Sequence, residues 1–308
     1  MPKKPPIVVI CGPTGVGKTS VGIEMAIAFE GEIVSADSMQ VYRYMDIGTA
    51  KPTPGEKSRA PHHMIDIADP DQPFDAARYA SEARRIIKRL HTRNLLPFVV
   101  GGTGLYIKAL TRGLFEGGEG HPQARKRLHD EIAAHGIEYL HRRLGRCDPE
   151  TAQKIHPHDT YRIIRALEIF ETTQQTISQH QKTHRFSESR YDVLKIGLAM
   201  DKALLYERIN HRVDAMIADG LQNEVESLLA RGYARDLKSM QSIGYRHMLD
   251  LISGRLSREE TVRTLKRDTR RYAKRQLTWF RSDREIVWVP PHEKADIRQL
   301  VADFIQTP

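Results

Sequence analysis

Cysteine is nearly absent from this chain: Cys11 and Cys147 are the only two in 308 residues. One pair cannot build a disulfide framework, and with no C-x-x-C spacing a structural zinc site is not expected. Both are read as reduced thiols of a cytoplasmic protein. Long apolar runs are missing too. The stretch Pro5 to Cys11, behind Lys3 and Lys4, is far shorter than the roughly 20 residues that span a bilayer. It runs straight into a glycine-rich turn, unlike a signal-peptide core. No membrane contact and no secretion are expected. Internal repeats and low-complexity tracts are also lacking, which excludes solenoids and linker-like chains. Acidic residues are in deficit, 39 against 48 Lys and Arg, for a net charge of +9. Such a surplus suits a polyanionic partner or phosphorylated substrates; a solvated basic surface is the plain alternative. What is present is enough for a core: 40% of residues are apolar. The length fits one large domain or two modest ones.

The apolar residues are arranged in a recognisable order. Residues 6–11 (PIVVIC) form a β-branched run of the kind that a buried parallel strand uses. A glycine-rich turn and a helical stretch from Thr19 to Phe29 follow. Residues 32–36 and 97–100 are further strand candidates, with an amphipathic helix over 81–90 between them. Strand, helix, strand with glycines at strand ends implies an α/β fold, an open parallel sheet flanked by helices. From Pro122 to about Arg190 only helical periods appear, and strands return at 193–200 and 286–289. The economical arrangement is an α/β core, 1–114 and 191–308, interrupted by an all-helical insertion over 115–190, with Gly117-Gly118-Glu119-Gly120 as its entry hinge.

Gly12-Pro13-Thr14-Gly15-Val16-Gly17-Lys18-Thr19 satisfies G-x-x-x-x-G-K-[ST] between a strand and a helix. In such a loop, backbone N–H groups and the helix N-terminus surround phosphate oxygens. Lys18 adds a point charge, and the Thr19 hydroxyl is a Mg²⁺ ligand candidate. No apolar strand ends in the aspartate that an ATPase would place beside this loop; the 97–100 strand ends in Gly101-Gly102-Thr103-Gly104. Asp37, after the second strand, is a candidate metal ligand or general base, or simply a turn or helix cap. Thr103 is a candidate donor to a leaving-group oxygen, or a turn residue. Over 259–281 an apolar stripe (Val262, Leu265, Tyr272, Ala273, Leu277, Phe280) is surrounded by arginines and lysines. That pattern suits a phosphodiester backbone with aromatics for stacking. The 14 histidines show no ligand spacing with a third partner. These features fit a P-loop transferase acting near nucleic acid. A P-loop small-molecule or nucleotide kinase, and a non-catalytic RNA-binding P-loop protein, are the alternatives.

Taken together, GPTGVGKT (12–19), DSMQVYRYMDIGTAKP (37–52), PHHMIDI (61–67), GGTGLYIKAL (101–110), DTYRIIRALEI (159–169), QSIGYRHM (241–248) and RRYAKRQLTWFR (270–281) resemble the bacterial tRNA dimethylallyltransferases, in order and over essentially the whole chain. Gly15 stands where that family usually has Ala or Ser. The resemblance implies a P-loop NTPase-like fold and transfer of a dimethylallyl group from dimethylallyl diphosphate to N6 of the adenosine 3′ to the anticodon. The P-loop would then hold the donor's diphosphate, with Mg²⁺ on Thr19 and Arg212 as a further clamp. The same resemblance implies Asp37 as general base and Thr103 beside the reacting bond, on its diphosphate side. It puts Ser38, Met39 and Gln40 around the flipped adenine. It also implies tRNA contacts by Arg125, Tyr161, Arg162 and Arg165, by Gln241, Ser242, Ile243, Gly244, Tyr245 and Arg246, and by Lys274, Arg275, Gln276, Trp279 and Arg281. The insertion would grip the anticodon stem-loop. A monomer is expected.

Overall fold

The computed structural model describes residues 4–113, 121–184 and 190–306. The chain forms two compact units, 1–111 with 190–308, and 112–189. The expected hinge at Gly117–Gly120 lies outside the described residues.

In the first unit six strands pair side by side, all parallel, in the order β3-β2-β4-β1-β5-β6. They are β1 (Pro6–Cys11), β2 (Gly31–Ser35), β3 (His62–His63), β4 (Leu96–Gly101), β5 (Asp192–Leu198) and β6 (Ile286–Val289). β1 is central and its run Ile7–Cys11 is wholly buried, which is why the sequence there is continuously apolar rather than alternating. Alternate residues Val8, Ile10, Phe98, Val100, Ile196 and Leu198 build one core with α1 (Lys18–Ala28), α10 (Lys202–Ala218) and α14 (Lys294–Gln306). The helices α2 (Pro54–Arg59), α3 (Ala76–Thr92), α4 (Gly104–Arg112), α11 (Leu221–Ala230), α12 (Tyr245–Ile252) and α13 (Arg258–Arg281) complete this unit. α3 packs on β2 and β4, while α13 packs on α10 and α12. The short edge strand β3 has no counterpart among the expected strands. His62 and His63 carry no strand signal of their own, and two residues suffice only because β2 supplies the pairing.

The second unit holds α5 (Pro122–His135), α6 (Ile137–Cys147), α7 (Pro149–Lys154), α8 (Thr160–Thr173) and α9 (Ile177–His184), with no strand among its described residues. Leu128, Leu140, Leu144, Ile163, Ile164 and Leu167 form its core. Asp159 caps α8 by accepting from the Arg162 N–H at 3.1 Å.

One buried group in the first unit works against stability. Tyr79 of α3 lies wholly buried and stacks on Tyr106 at 4.3 Å, yet its hydroxyl has no hydrogen-bond partner among the described residues. An unsatisfied buried hydroxyl costs about 1–3 kcal/mol. Tyr79→Phe should therefore stabilise the fold by about 1 kcal/mol, seen as a higher urea midpoint; a lower midpoint would mean that a buried water satisfies the hydroxyl.

Candidate active site

The strands β1, β2 and β4 end at one rim of the sheet, where open α/β sheets bind ligands. The loops that leave them, with α10 and α13, line a cleft of about 1280 Å³. On one wall is the P-loop. Its last residue, Gly17, caps α1 without a side-chain hydrogen bond, so the N–H groups of the first turn are left to a ligand. Lys18 Nζ donates to the Pro13 carbonyl at 2.8 Å. Burial depresses its pKa to about 8, opposed by the Asp37 carboxylate and reinforced by Arg212. Arg212 Nη1 donates to Thr14 Oγ1 at 3.3 Å. Burial lowers its pKa too, against the upward pull of Asp37. Arg208, one turn earlier on α10, faces the same cleft. Two guanidinium groups and an ammonium beside open backbone donors form a site for a polyanionic phosphate. Cys11, beneath the loop, is no nucleophile: burial raises its pKa to about 12.

The opposite wall is the loop after β2. Asp37 Oδ1 accepts from the N–H groups of Met39 (2.9 Å) and Gln40 (3.3 Å). The turn reading of Asp37 is thus correct for one oxygen, and Oδ2 takes no part in the turn. Thr103 braces this loop twice: its N–H donates to the Ala36 carbonyl and its Oγ1 accepts from the Ser38 N–H, both at 3.0 Å. The approach requires glycine at the end of β4, because a Cβ on Gly101 would lie 2.1 Å from the Ala36 oxygen. Gln40 accepts from Ser35 Oγ at 3.1 Å and donates to the carbonyls of Thr49 (3.4 Å) and Ala50 (3.3 Å).

Helix α13 joins the two walls. Gln276 Oε1 accepts from the Thr14 N–H at 2.8 Å, and its Nε2 donates to the Gly102 carbonyl at 2.9 Å. Tyr272 is hydrogen-bonded with the side chains of Gln276 and Thr103, and burial together with Asp37 raises its pKa, so it stays a neutral phenol. Gln276, expected among the tRNA contacts, is buried and spends its amide on the protein's own backbone. Tyr245, also expected there, is fully buried with its hydroxyl on Glu224. Arg125 and Arg165 both pair with the buried carboxylate of Glu168, at 3.0 and 2.9 Å, which also accepts from the His121 N–H. Their first role is to neutralise that carboxylate.

Thr14, Gly15, Gly17, Lys18, Thr19, Asp37–Gln40, Arg212, Gln241–Gly244, Arg275 and Gln276 therefore meet in one cleft, whereas Gly12, Pro13 and Val16 lie buried beneath it. Lys274, Trp279 and Arg281 are exposed along α13, and Arg246 pairs with Asp268 at 2.8 Å. Tyr161 and Arg162 are exposed in the helical unit, where Arg162 pairs with Asp159. Glu224 and Arg208 were missed by sequence reading. Arg208 had a signal, its i, i+4 spacing to Arg212; Glu224 on an amphipathic helix had none. Among the described residues no three His, Cys, Asp or Glu side chains converge as a metal cluster, and no helix is long and apolar enough to cross a membrane.

Comparison with known proteins gives a uniform picture. The family model described as IPP transferase matches residues 40–283, and one described as isopentenyl transferase matches residues 5–66. A tRNA dimethylallyltransferase of Desulfosudis oleivorans is 57% identical over 292 residues, covering 95% of this chain and 93% of that protein. One from Syntrophobacter fumaroxidans is 53% identical, covering 98% and 87%. The crystal structure of a tRNA isopentenylpyrophosphate transferase from Bacillus halodurans superposes with a TM-score of 0.74 at 41% identity, covering 98% and 97%. A eukaryotic dimethylallyltransferase captured acting on tRNA gives 0.82 at 28% identity, covering 98% of this chain and 79% of that one.

Proposed function

This chain belongs to the IPP transferase family and transfers a dimethylallyl group to tRNA, and we propose that it does so by displacing diphosphate across the cleft between the P-loop and the Asp37 loop. The donor is dimethylallyl diphosphate, and the acceptor is N6 of the adenosine 3′ to the anticodon. The observation that carries this reading is the pairing of a cationic phosphate cradle with Asp37 Oδ2 on the facing wall, a carboxylate oxygen with no hydrogen-bond partner among the described residues. The end of β4 offers glycines and Thr103 where a nucleotide hydrolase would offer an acid.

The electron flow follows from these groups. The N6 lone pair forms a bond to the allylic C1 as the C1–O bond breaks, and the leaving electron pair goes to the diphosphate. The P-loop N–H groups, Lys18, Arg208 and Arg212 neutralise the charge that develops there. Asp37 Oδ2 accepts the N6 proton, making a weakly nucleophilic aromatic amine competent. The Thr19 hydroxyl lines the cleft beside the phosphate cradle and is the residue that would hold Mg²⁺, which commonly takes only one or two protein ligands beside phosphate oxygens. When bound, the ion would supply additional charge neutralisation at the diphosphate. An adenine must leave the base stack to reach this cleft, and Ser38, Met39 and Gln40 line the wall that receives it. The exposed Lys274, Arg275 and Arg281 on α13 and the exposed Tyr161 and Arg162 in the helical unit are the groups suited to the surrounding RNA.

The test is incubation with labelled dimethylallyl diphosphate, Mg²⁺ and an unmodified anticodon stem-loop. Label in the RNA, at N6 of the adenosine 3′ to the anticodon, with stoichiometric diphosphate, is the expected result. Label elsewhere in the RNA would overturn the assignment of the acceptor. ATP consumption without RNA labelling would favour the kinase reading.

A further inference from the structure

Helix α11 carries a carboxylate in an unusual setting. Glu224 Oε2 accepts from the N–H groups of Asp46 (2.8 Å) and Ile47 (2.7 Å). Its Oε1 accepts from the Gly48 N–H (3.1 Å) and from the Tyr245 hydroxyl (2.6 Å). Three successive backbone donors converging on one anion make a nest, and here the protein's own side chain fills it. The nest ties the loop to α11, in addition to the bonds that Thr49 Oγ1 makes to the Met45 carbonyl and Lys51 Nζ to Asp46, both at 2.6 Å. Tyr245 is fully buried behind Glu224. Its ring lies so close to the loop that a Cβ on Gly48 would stand 2.5 Å from Cε2. Burial and the neighbouring carboxylate keep the phenol protonated, and therefore a donor.

The next two residues of that loop connect it to the chemistry. The carbonyls of Thr49 and Ala50 receive the Gln40 amide, and the Gln40 N–H is one of the two donors on Asp37 Oδ1. A continuous path thus runs from Glu224 through the 46–50 loop and Gln40 to Asp37. No comparable set of bonds joins Glu224 to Lys18, Thr14 or Arg212 among the described residues. Resting on the transferase reading above, we infer that Glu224 is a positioning residue for the acceptor side of the site, holding Asp37 and the adenine wall in register through Gln40. It touches no substrate; its effect is on the geometry of the base.

Misplacing a reacting group by about 1 Å can cost on the order of 100-fold in rate. Glu224→Gln places an amide among three N–H donors and should lower kcat with the stem-loop about 10–100-fold. The KM for dimethylallyl diphosphate should stay within about twofold, since the path from Glu224 runs to Asp37 and not to Lys18, Thr14 or Arg212. Gly48→Ala, which leaves Glu224 intact but drives the loop off Tyr245, should give the same split. In a Gln40→Ala background, Glu224→Gln should add little further loss, because the path is already cut. Thermal unfolding confirms that each variant is folded. A folded Glu224→Gln enzyme with native kcat, a parallel rise in donor KM, or additive losses with Gln40→Ala would overturn the inference. Should Glu224→Gln not fold, Gly48→Ala alone and combined with Gln40→Ala decides by the same criteria. Failure of the native enzyme to label the stem-loop would instead overturn the transferase reading itself.

Discussion

Asp37→Asn is expected to lower kcat for prenyl transfer by about 10²–10⁴-fold, with a native fold and a nearly native KM for dimethylallyl diphosphate. The structure makes this substitution unusually clean. Asp37 Oδ1 closes the turn by accepting from Met39 and Gln40, and an asparagine carbonyl can accept both bonds. What asparagine cannot do is take a proton at the second position. Asp37→Ala removes the turn bonds as well, so it should lose at least as much rate and also some stability, about 0.5–2 kcal/mol by analogy with lost caps. Single-turnover assays on the stem-loop separate the chemical step from product release. Equal rates for the native and asparagine enzymes would demote Asp37 to a turn residue.

Lys18→Met should cost about 10²–10³-fold in kcat and raise the KM for the donor, because in the proposed mechanism the ammonium meets the diphosphate both before and during departure. Its titration gives a second readout. The pKa is held at about 8 by burial, and a bound polyphosphate must raise it again. Binding therefore takes up a proton above pH 8 and none well below it. Donor affinity should be flat below about pH 8 and fall as pH rises through that value, with a slope of up to tenfold per unit. Calorimetry with inorganic diphosphate in two buffers of different ionisation enthalpy measures the uptake directly, and Lys18→Met should abolish it. The sign for folding is opposite. An unfolded lysine titrates near 10.4, so between about 8 and 10.4 the unfolded chain binds more protons. The destabilisation from burying Lys18 is complete below pH 8 and fades as pH rises through that window.

The parts of the molecule that could be read from sequence are those whose signals are local. β1, β2, β4, β5 and β6 are β-branched or apolar runs closed by turns, and the P-loop is a contiguous motif whose geometry is set by its own residues. Asp37 could be singled out because a parallel strand delivers its C-terminal residue to the rim that holds the P-loop. β3 was illegible because two histidines become a strand only when β2 is beside them. The internal partners of Gln276 were illegible for a related reason: it sits in a helix dense with arginine and lysine, and nothing near it in sequence reveals that it bonds to Thr14 and Gly102. Tyr245 and Glu224 form a pair across 21 residues, and each alone looks like an ordinary helical residue. Legibility failed wherever a polar side chain is satisfied by backbone from a distant loop.

The brace at Gln276 has a consequence for how the two substrates sense each other. α13 is 24 residues long, a stiff rod with its amide on the phosphate cradle and its cations on the outside. A displacement of the helix by a polyanion bound to those cations would carry the Thr14 N–H that Gln276 holds with it. If that displacement tightens the grip on the donor, the donor must tighten the grip on RNA by the same factor, since coupling between equilibria is reciprocal. One glutamine would then set the cooperativity between a small molecule and a nucleic acid.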